Sequence, residues 1–293
     1  MHFSTLFIDE AAQALEAACW IPIRRVSRVV LAGDYCQLPP TIKSLAALHG
    51  GLDKTLMQRI AANHPETVTL LRVQYRMNEQ IMRFSSEWFY GGKIESAPSV
   101  RFRGILDYDN PIVWIDSATA LPDSREEQSD TEKSSRPYHE EFVGESFGRI
   151  NKPEAELTLS ALQQLFEKIG RARILEENID VGIISPYRAQ VQYLRQLIKR
   201  REFYKPYRRL ITVNTVDGFQ GQERDIIIIS LVRSNEQGQI GFLNDLRRMN
   251  VAITRARMKL IIIGDVATLT RHRFYRRLYE YIEEVGKDFV CSV

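Results

Sequence analysis

Two adjacent carboxylates, Asp9 and Glu10, close the apolar run Leu6-Phe7-Ile8 and are followed by Ala11-Ala12-Gln13. An apolar run that ends in acids reads as a strand delivering them at its carboxyl end, where open α/β sheets bind ligands. One carboxylate there can hold Mg²⁺, usually through water, while its neighbour polarises an attacking water. The plainer alternative is a helix start, where Asp and Glu favour the dipole. A second run, residues 28–32, leads in the same way into Gly33-Asp34-Tyr35-Cys36-Gln37-Leu38-Pro39-Pro40. Glycine permits a tight strand exit, the prolines fix the following turn, and Gln37 is a neutral side chain able to bond a terminal phosphate or the attacking water. Two such strand ends in one short span argue against accident.

The elements that must position these residues can be read from hydrophobic patterning. Runs rich in Val, Ile and Leu stop at polar or glycine-containing turns at residues 5–8, 28–32, 112–115, 181–184, 210–213, 225–231 and 259–263. They read as strands buried on both faces. Helical periodicity covers residues 154–169, 189–200 and 245–256 between them, and the alternation predicts an α/β fold with parallel sheets. Residues 122–150, rich in Gly, Ser and acids, carry no periodic element and read as a surface insertion or mobile loop. A boundary is expected near residues 67–71: the two strands before it are too few for a complete parallel sheet, and the five after it are enough. The expected division is an incomplete first domain, residues 1–69, and a complete second domain, residues 70–293.

At 293 residues, 44% hydrophobic and 26% charged, the chain has an ordinary soluble composition and the length for about two domains. Its apolar runs fall far short of the roughly 20 residues a membrane helix needs, and no basic-then-apolar leader opens it. The expectation is a soluble protein without membrane partners, cytoplasmic, or nuclear in a eukaryote. Cys19, Cys36 and Cys291 have neither CxxC nor Cys/His metal spacing and read as buried small apolar residues. The net charge of +3 hides a division, because residues 123–145 hold eight acids and three bases, leaving 37 bases against 29 acids elsewhere. Bases cluster at Arg24, Arg25 and Arg28, at Lys199, Arg200, Arg201, Lys205, Arg208 and Arg209, and at Arg271, Arg273, Arg276 and Arg277. A basic body suits a phosphate-backbone ligand, although any one cluster also reads as a solvated helix face.

Further runs follow in order: Gln74-Tyr75-Arg76-Met77, Ser185-Pro186-Tyr187, Thr215-Val216-Asp217-Gly218-Phe219-Gln220-Gly221-Gln222-Glu223, and Asn250-Val251-Ala252-Ile253-Thr254-Arg255-Ala256-Arg257. With the two acid-bearing strand ends, they resemble motifs II to VI of superfamily 1 helicases, in the branch of the nonsense-mediated-decay and immunoglobulin-mu-binding-protein helicases. The resemblance runs from Phe3 to Asp265. It implies RecA-like parallel sheets flanked by helices, the core of a P-loop NTPase helicase that hydrolyses ATP in an interdomain cleft and moves along single-stranded DNA or RNA in the 5′ to 3′ direction. By the same resemblance Asp9 coordinates Mg²⁺, Glu10 orients the hydrolytic water, and Gln37 senses the γ-phosphate. Arg76 and Arg255 are arginine fingers, forks that neutralise charge on the transferring phosphoryl group. Tyr75 stacks on adenine, and Gly221 and Glu223 meet the nucleotide, Glu223 bonding the ribose. Ser185, Pro186, Tyr187 and Thr215 are the candidates for the nucleic-acid backbone, held through hydroxyl and main-chain donors. The alternative for Arg255 is a surface ion pair on a helix, and for Tyr75 a core aromatic.

One part of such a motor has no counterpart. GxxxxGK[ST] cradles the nucleotide phosphates, yet Gly91-Gly92-Lys93 is followed by Ile94 and Gly286-Lys287 by Asp288. The expectation is a fragment, a truncated product or a member without its front half, ATPase-inactive alone and self-associating through the open sheet of residues 1–69. A competing reading is an ATPase-inactive nucleic-acid-binding or regulatory module. A third, a metal-dependent nuclease built on Asp9, Glu10 and Asp34, leaves the arginines and the Gln-Gly-Gln-Glu run without a task.

Overall fold

Parallel β-pairing organises both parts of the chain. The computed structural model describes residues 2–119, 140–144 and 148–290, which divide into two compact units, Met1–Leu71 and Arg72–Val293.

In the first unit, β1 (Phe3–Ile8) pairs in parallel with β2 (Val26–Leu31), with Leu6 opposite Val29 and Ile8 opposite Leu31. Helix α1 (Glu16–Ile23) connects them, and α2 (Leu45–His49) and α3 (Leu56–Asn63) follow, α3 opening with a capping box between Thr55 and Gln58. The expectation of strands buried on both faces fails here. Phe7 is 74% exposed and Phe3 49%, because a two-stranded sheet covered on one side leaves the alternate residues of β1 in solvent.

The second unit opens with β3 (Val73–Gln74), α4 (Glu79–Tyr90) and β4 (Glu95–Ser96), the two short strands pairing in parallel. Its main elements are β5 (Ile112–Asp116), the hairpin strands β6 (Glu141–Val143) and β7 (Gly148–Ile150), α5 (Lys152–Ile169), α6 (Arg171–Glu176), β8 (Val181–Ile184), α7 (Arg188–Arg200), β9 (Ile211–Asn214), β10 (Arg224–Ser230), α8 (Leu246–Ile253), β11 (Ala256–Gly264), α9 (Val266–Leu269) and α10 (Arg273–Val290). Five strands form one parallel sheet in the order β5-β11-β10-β8-β9. Alternation decides which helices cover which face. Val181, Ile183, Ile226, Ile228, Ile261 and Ile263 pack with α5 and α7, and α4, α8 and α10 pack against β5 and β11 on the other side. Both faces being covered, the isoleucines of β10 and β11 are 0–5% exposed.

Two sequence expectations need correction. Residues 122–150 are not one unstructured insertion: residues 140–144 and 148–150 build the antiparallel β6–β7 hairpin, and the rest of that segment lies outside the described residues. The pattern missed the hairpin because its anchor is polar; Glu140, almost wholly buried, is clasped by Arg149 and Arg233. The helix expected over residues 245–256 ends at Ile253, because the carbonyl of Arg255 already accepts the Arg224 N–H of the neighbouring strand at 2.9 Å.

The connection from β9 to β10 is exceptionally short. Parallel strands need a dozen or more residues to return to the starting end, yet only residues 215–223 lie between Asn214 and Arg224, and β8 must be passed on the way. A 3₁₀ turn, Asp217–Phe219, makes the passage, and its fully buried Phe219 lies on β8 at Gly182. A Cβ on Gly182 would stand 2.7 Å from the Phe219 ring and 2.6 Å from Ile227 Cδ1, so the absent side chain makes room for the crossing.

Candidate functional site

In the first unit the acids stand where the strand pattern places them. Asp9 and Glu10, both exposed, follow the last residue of β1. Glu10 has a positive φ of 50°, and its amide donates to Asp9 Oδ1 at 2.9 Å. The turn is tied to the β2 exit by Ala11 N–H donating to Ala32 O at 2.8 Å. Gly33 is obligatory there, since a Cβ would meet the backbone nitrogens of Ala12 and Ala11 at 2.9 and 3.0 Å. Beyond it, Asp34 organises the next turn, accepting from Cys36 N at 2.9 Å and from Gln37 Nε2 at 2.8 Å. An exposed carboxylate at a strand end suits Mg²⁺ held by one or two carboxylates with substrate phosphates and water. Among the described residues no three His, Cys, Asp or Glu gather to hold a metal by themselves, so the three-carboxylate nuclease arrangement is not formed. Cys19 is buried as expected, whereas Cys36 is only half-buried in this turn.

In the second unit, residues far apart in sequence meet at the amino end of the main sheet. The Gln74 side chain makes the turn after β3, its Oε1 accepting from both Arg76 N and Met77 N at 2.7 Å and its Nε2 donating to Met77 O at 2.8 Å. That turn leaves Tyr75 70% exposed, not in the core, and directs Arg76 onto Glu223. Arg76 Nε donates to Glu223 Oε2 at 2.5 Å and its Nη1 to Thr254 O at 3.0 Å. Glu223 immediately precedes β10 and Arg255 immediately precedes β11. Arg255 is 3% exposed and not on a helix surface: its Nε donates to Val251 O at 3.0 Å and its Nη1 to Gln222 O at 3.2 Å. Gly221, with φ 72° and open space on its Cβ side, makes the turn just ahead of Glu223.

The four residues expected on nucleic acid lie at the opposite, carboxyl end of the sheet, after β8 and β9. Thr215 and Pro186 are half-buried. Ser185 and Tyr187 depart from the expectation of surface hydroxyls. Ser185 is wholly buried, and Tyr187, 4% exposed, packs its ring 5.8 Å from Phe242 and buries its hydroxyl. Chain geometry turns them inward: Ser185 continues the β8–β9 ladder through its N–H to Asn214 O at 3.2 Å.

A titratable group that sequence reading missed sits at this same end. Glu154, in the first turn of α5, is fully buried, its Oε1 accepting from Ser230 Oγ at 2.6 Å and from Val232 N at 2.7 Å. Burial is the dominant influence and pushes its carboxyl up to about 8, the two hydrogen bonds oppose this, and the charges of Asp265 and Glu140 add to it. Val232 beside it has a φ of 70°, rare for a β-branched residue. A helical Glu three residues after Asn151 reads in sequence as a solvent-facing first-turn acid. Its burial between α5 and β10 is a tertiary fact.

No helix among the described residues is long and apolar enough to cross a membrane. The family described as AAA domain matches residues 52–267, and a second of the same description matches residues 1–45. DNA-binding protein SMUBP-2 of Rattus norvegicus is 36% identical over 297 residues, covering 98% of this chain and 27% of its own length. DNA polymerase alpha-associated DNA helicase A of Saccharomyces cerevisiae is 36% identical over 307 residues, covering 96% of this chain and 41% of itself. Helicase sen1 of Schizosaccharomyces pombe is 35% identical over 270 residues, covering 92% and 15% respectively. The chain thus spans less than half the length of each of these relatives. With its parallel sheets and ordered motifs, the chain belongs to the AAA-domain superfamily 1 helicases, in the branch that resembles the nonsense-mediated-decay helicase.

Proposed function

We propose that this chain carries the later motifs of an ATP-dependent helicase or translocase acting on single-stranded DNA or RNA, moving 5′ to 3′. The reading rests on the meeting of Arg76, Glu223 and Arg255, drawn from three distant segments, at one end of the second unit's sheet. Each has a task in phosphoryl transfer, where positioning and charge neutralisation dominate catalysis. Arg76 and Arg255 act on the transferring phosphoryl group, Glu223 on the ribose, Gly221 on the nucleotide and exposed Tyr75 on adenine. The first unit supplies Asp9 to hold Mg²⁺, Glu10 to orient the water and Gln37 to sense the γ-phosphate. Bound there, Mg²⁺ would neutralise charge on the phosphates. Thr215 and Pro186 face the nucleic-acid backbone, while Ser185 and Tyr187 shape the loop from inside.

In this sequence no loop of the GxxxxGK[ST] kind grips the phosphates, so the chain by itself does not hydrolyse ATP, with or without nucleic acid. The test is steady-state hydrolysis by the purified chain and by a version carrying such a loop upstream. The first is expected to be silent and the second to be stimulated by single strands and silenced by Glu10→Gln. Turnover by the chain alone that Glu10→Gln abolishes would overturn the inactivity, and an upstream-loop version insensitive to Glu10→Gln would overturn the site.

A further inference from the structure

At the amino end of the main sheet three carboxylates crowd together, and one guanidinium serves all of them. Asp180 immediately precedes β8 and Asp225 is the second residue of β10. Each accepts the other's backbone N–H, Asp225 N to Asp180 Oδ1 at 2.7 Å and Asp180 N to Asp225 Oδ2 at 3.2 Å. This reciprocal clasp fixes two carboxyl groups side by side, an arrangement that costs energy without a shared cation. Arg257, the second residue of β11, supplies it: one terminal nitrogen lies 3.1 Å from Asp180 Oδ1 and 3.0 Å from Asp225 Oδ1. Its other terminal nitrogen lies 3.7 Å from Glu223 Oε1, at ion-pair distance. The remaining Glu223 oxygen holds Arg76.

In this structure Arg76 commits Nε to Glu223 and Nη1 to Thr254 O, so turning towards a phosphoryl group would release Glu223. When it leaves, Glu223 would be a carboxylate beside two others, free to swing, unless a second cation keeps it. We propose that Arg257 is the positioning residue of the ribose contact, anchored on Asp180 and Asp225 and retaining Glu223 in place as Arg76 turns to the nucleotide; this rests on the nucleotide reading above. The role needs a fork. Lysine keeps the charge but is a single nitrogen on a flexible stem, and cannot meet the aspartate pair and Glu223 together.

Two measurements test it. In the chain itself, nitrogen-15 spectra of the arginine Nε–Hε groups should show Arg76 protected from solvent exchange. Exchange should quicken in Glu223→Gln and, through the loosened carboxylate, in Arg257→Lys; an Arg76 signal unchanged in Arg257→Lys overturns the proposal. In a version with an upstream phosphate-binding loop, hydrolysis of ATP is compared with that of 3′-deoxy-ATP. Glu223→Gln and Arg257→Lys should each raise KM for ATP about tenfold and erase the preference for the intact ribose. Combining them should cost no more than either alone. If Glu223→Gln erases the preference and Arg257→Lys retains it, the positioning role fails while the nucleotide reading stands. If Glu223→Gln also retains it, the ribose assignment itself fails.

Discussion

Arg255 illustrates what a single side chain can be asked to do. Its guanidinium is fastened to backbone carbonyls on α8 and on the loop before β10, so it is preorganised and does not have to be gathered from solvent. Arg255→Ala in a version with the phosphate-binding loop is expected to slow hydrolysis on the order of 10³-fold, with single-strand affinity, read by fluorescence anisotropy, nearly unchanged. Equal loss of both would mean that the residue is only a fastening. Glu154 allows a test by pH. Its carboxyl stands near 8 folded against 4.5 unfolded, so the folded state keeps a proton that the unfolded chain releases. The share of stability that depends on Glu154 is therefore fullest below about 4.5, declines as pH rises towards 8 and is flat above. Glu154→Gln should flatten that slope in thermal melts between pH 5 and 9; an unchanged slope would assign it elsewhere. The resemblance of the ordered motifs brings Arg76, Glu223 and Arg255 forward as candidates. It could not reveal that the first two touch across 147 positions, nor that the Ser185 and Tyr187 hydroxyls face inward. A hydroxyl or a carboxylate in sequence carries no mark of which way its backbone will turn it.

Strands were legible where composition alone decides. The isoleucine runs of β10 and β11 are apolar at every position because helices cover both faces, and they announce themselves. β1 ends in a comparable apolar run, Leu6-Phe7-Ile8, but has only one covered face, which no local pattern states. The β6–β7 hairpin escaped notice since a buried acid between two arginines holds it, and periodicity registers only apolar residues. The crossover between β9 and β10 was visible as a motif and invisible as a shape. It depends on Gly182, and Gly182→Ala should cost about 1–3 kcal/mol in urea denaturation by overpacking against Phe219 and Ile227. Because the displaced ring belongs to the crossover, Glu223 should shift with it, weakening nucleotide contact in the loop-bearing version. A variant as stable as the parent would show that Phe219 has room to move.

For the molecule as a whole, the two units differ in how well they bury what they own. The second wraps its sheet on both faces, whereas the first leaves Phe7, Trp20 and Ile21 at 74%, 47% and 74% exposure. Exposed apolar groups on a short sheet favour association with other chains. The chain is expected to self-associate with rising concentration in light scattering, and Phe7→Lys to shift it towards monomer; a strict monomer unaffected by that change would count against the first unit as the contact. The fold also implies something about transmission. Within the second unit, the nucleotide candidates and the nucleic-acid candidates stand at opposite ends of a sheet about 20 Å deep, at 3.3 Å per residue along the seven of β10. Residues 215–223 run from one end to the other with only the three-residue 3₁₀ turn Asp217–Phe219 to absorb slack. On the proposed reading such a span would act as a taut drive belt: lengthened by three or four glycines in the loop-bearing version, it should slip, so that fuel is still burned while advance along the track stops.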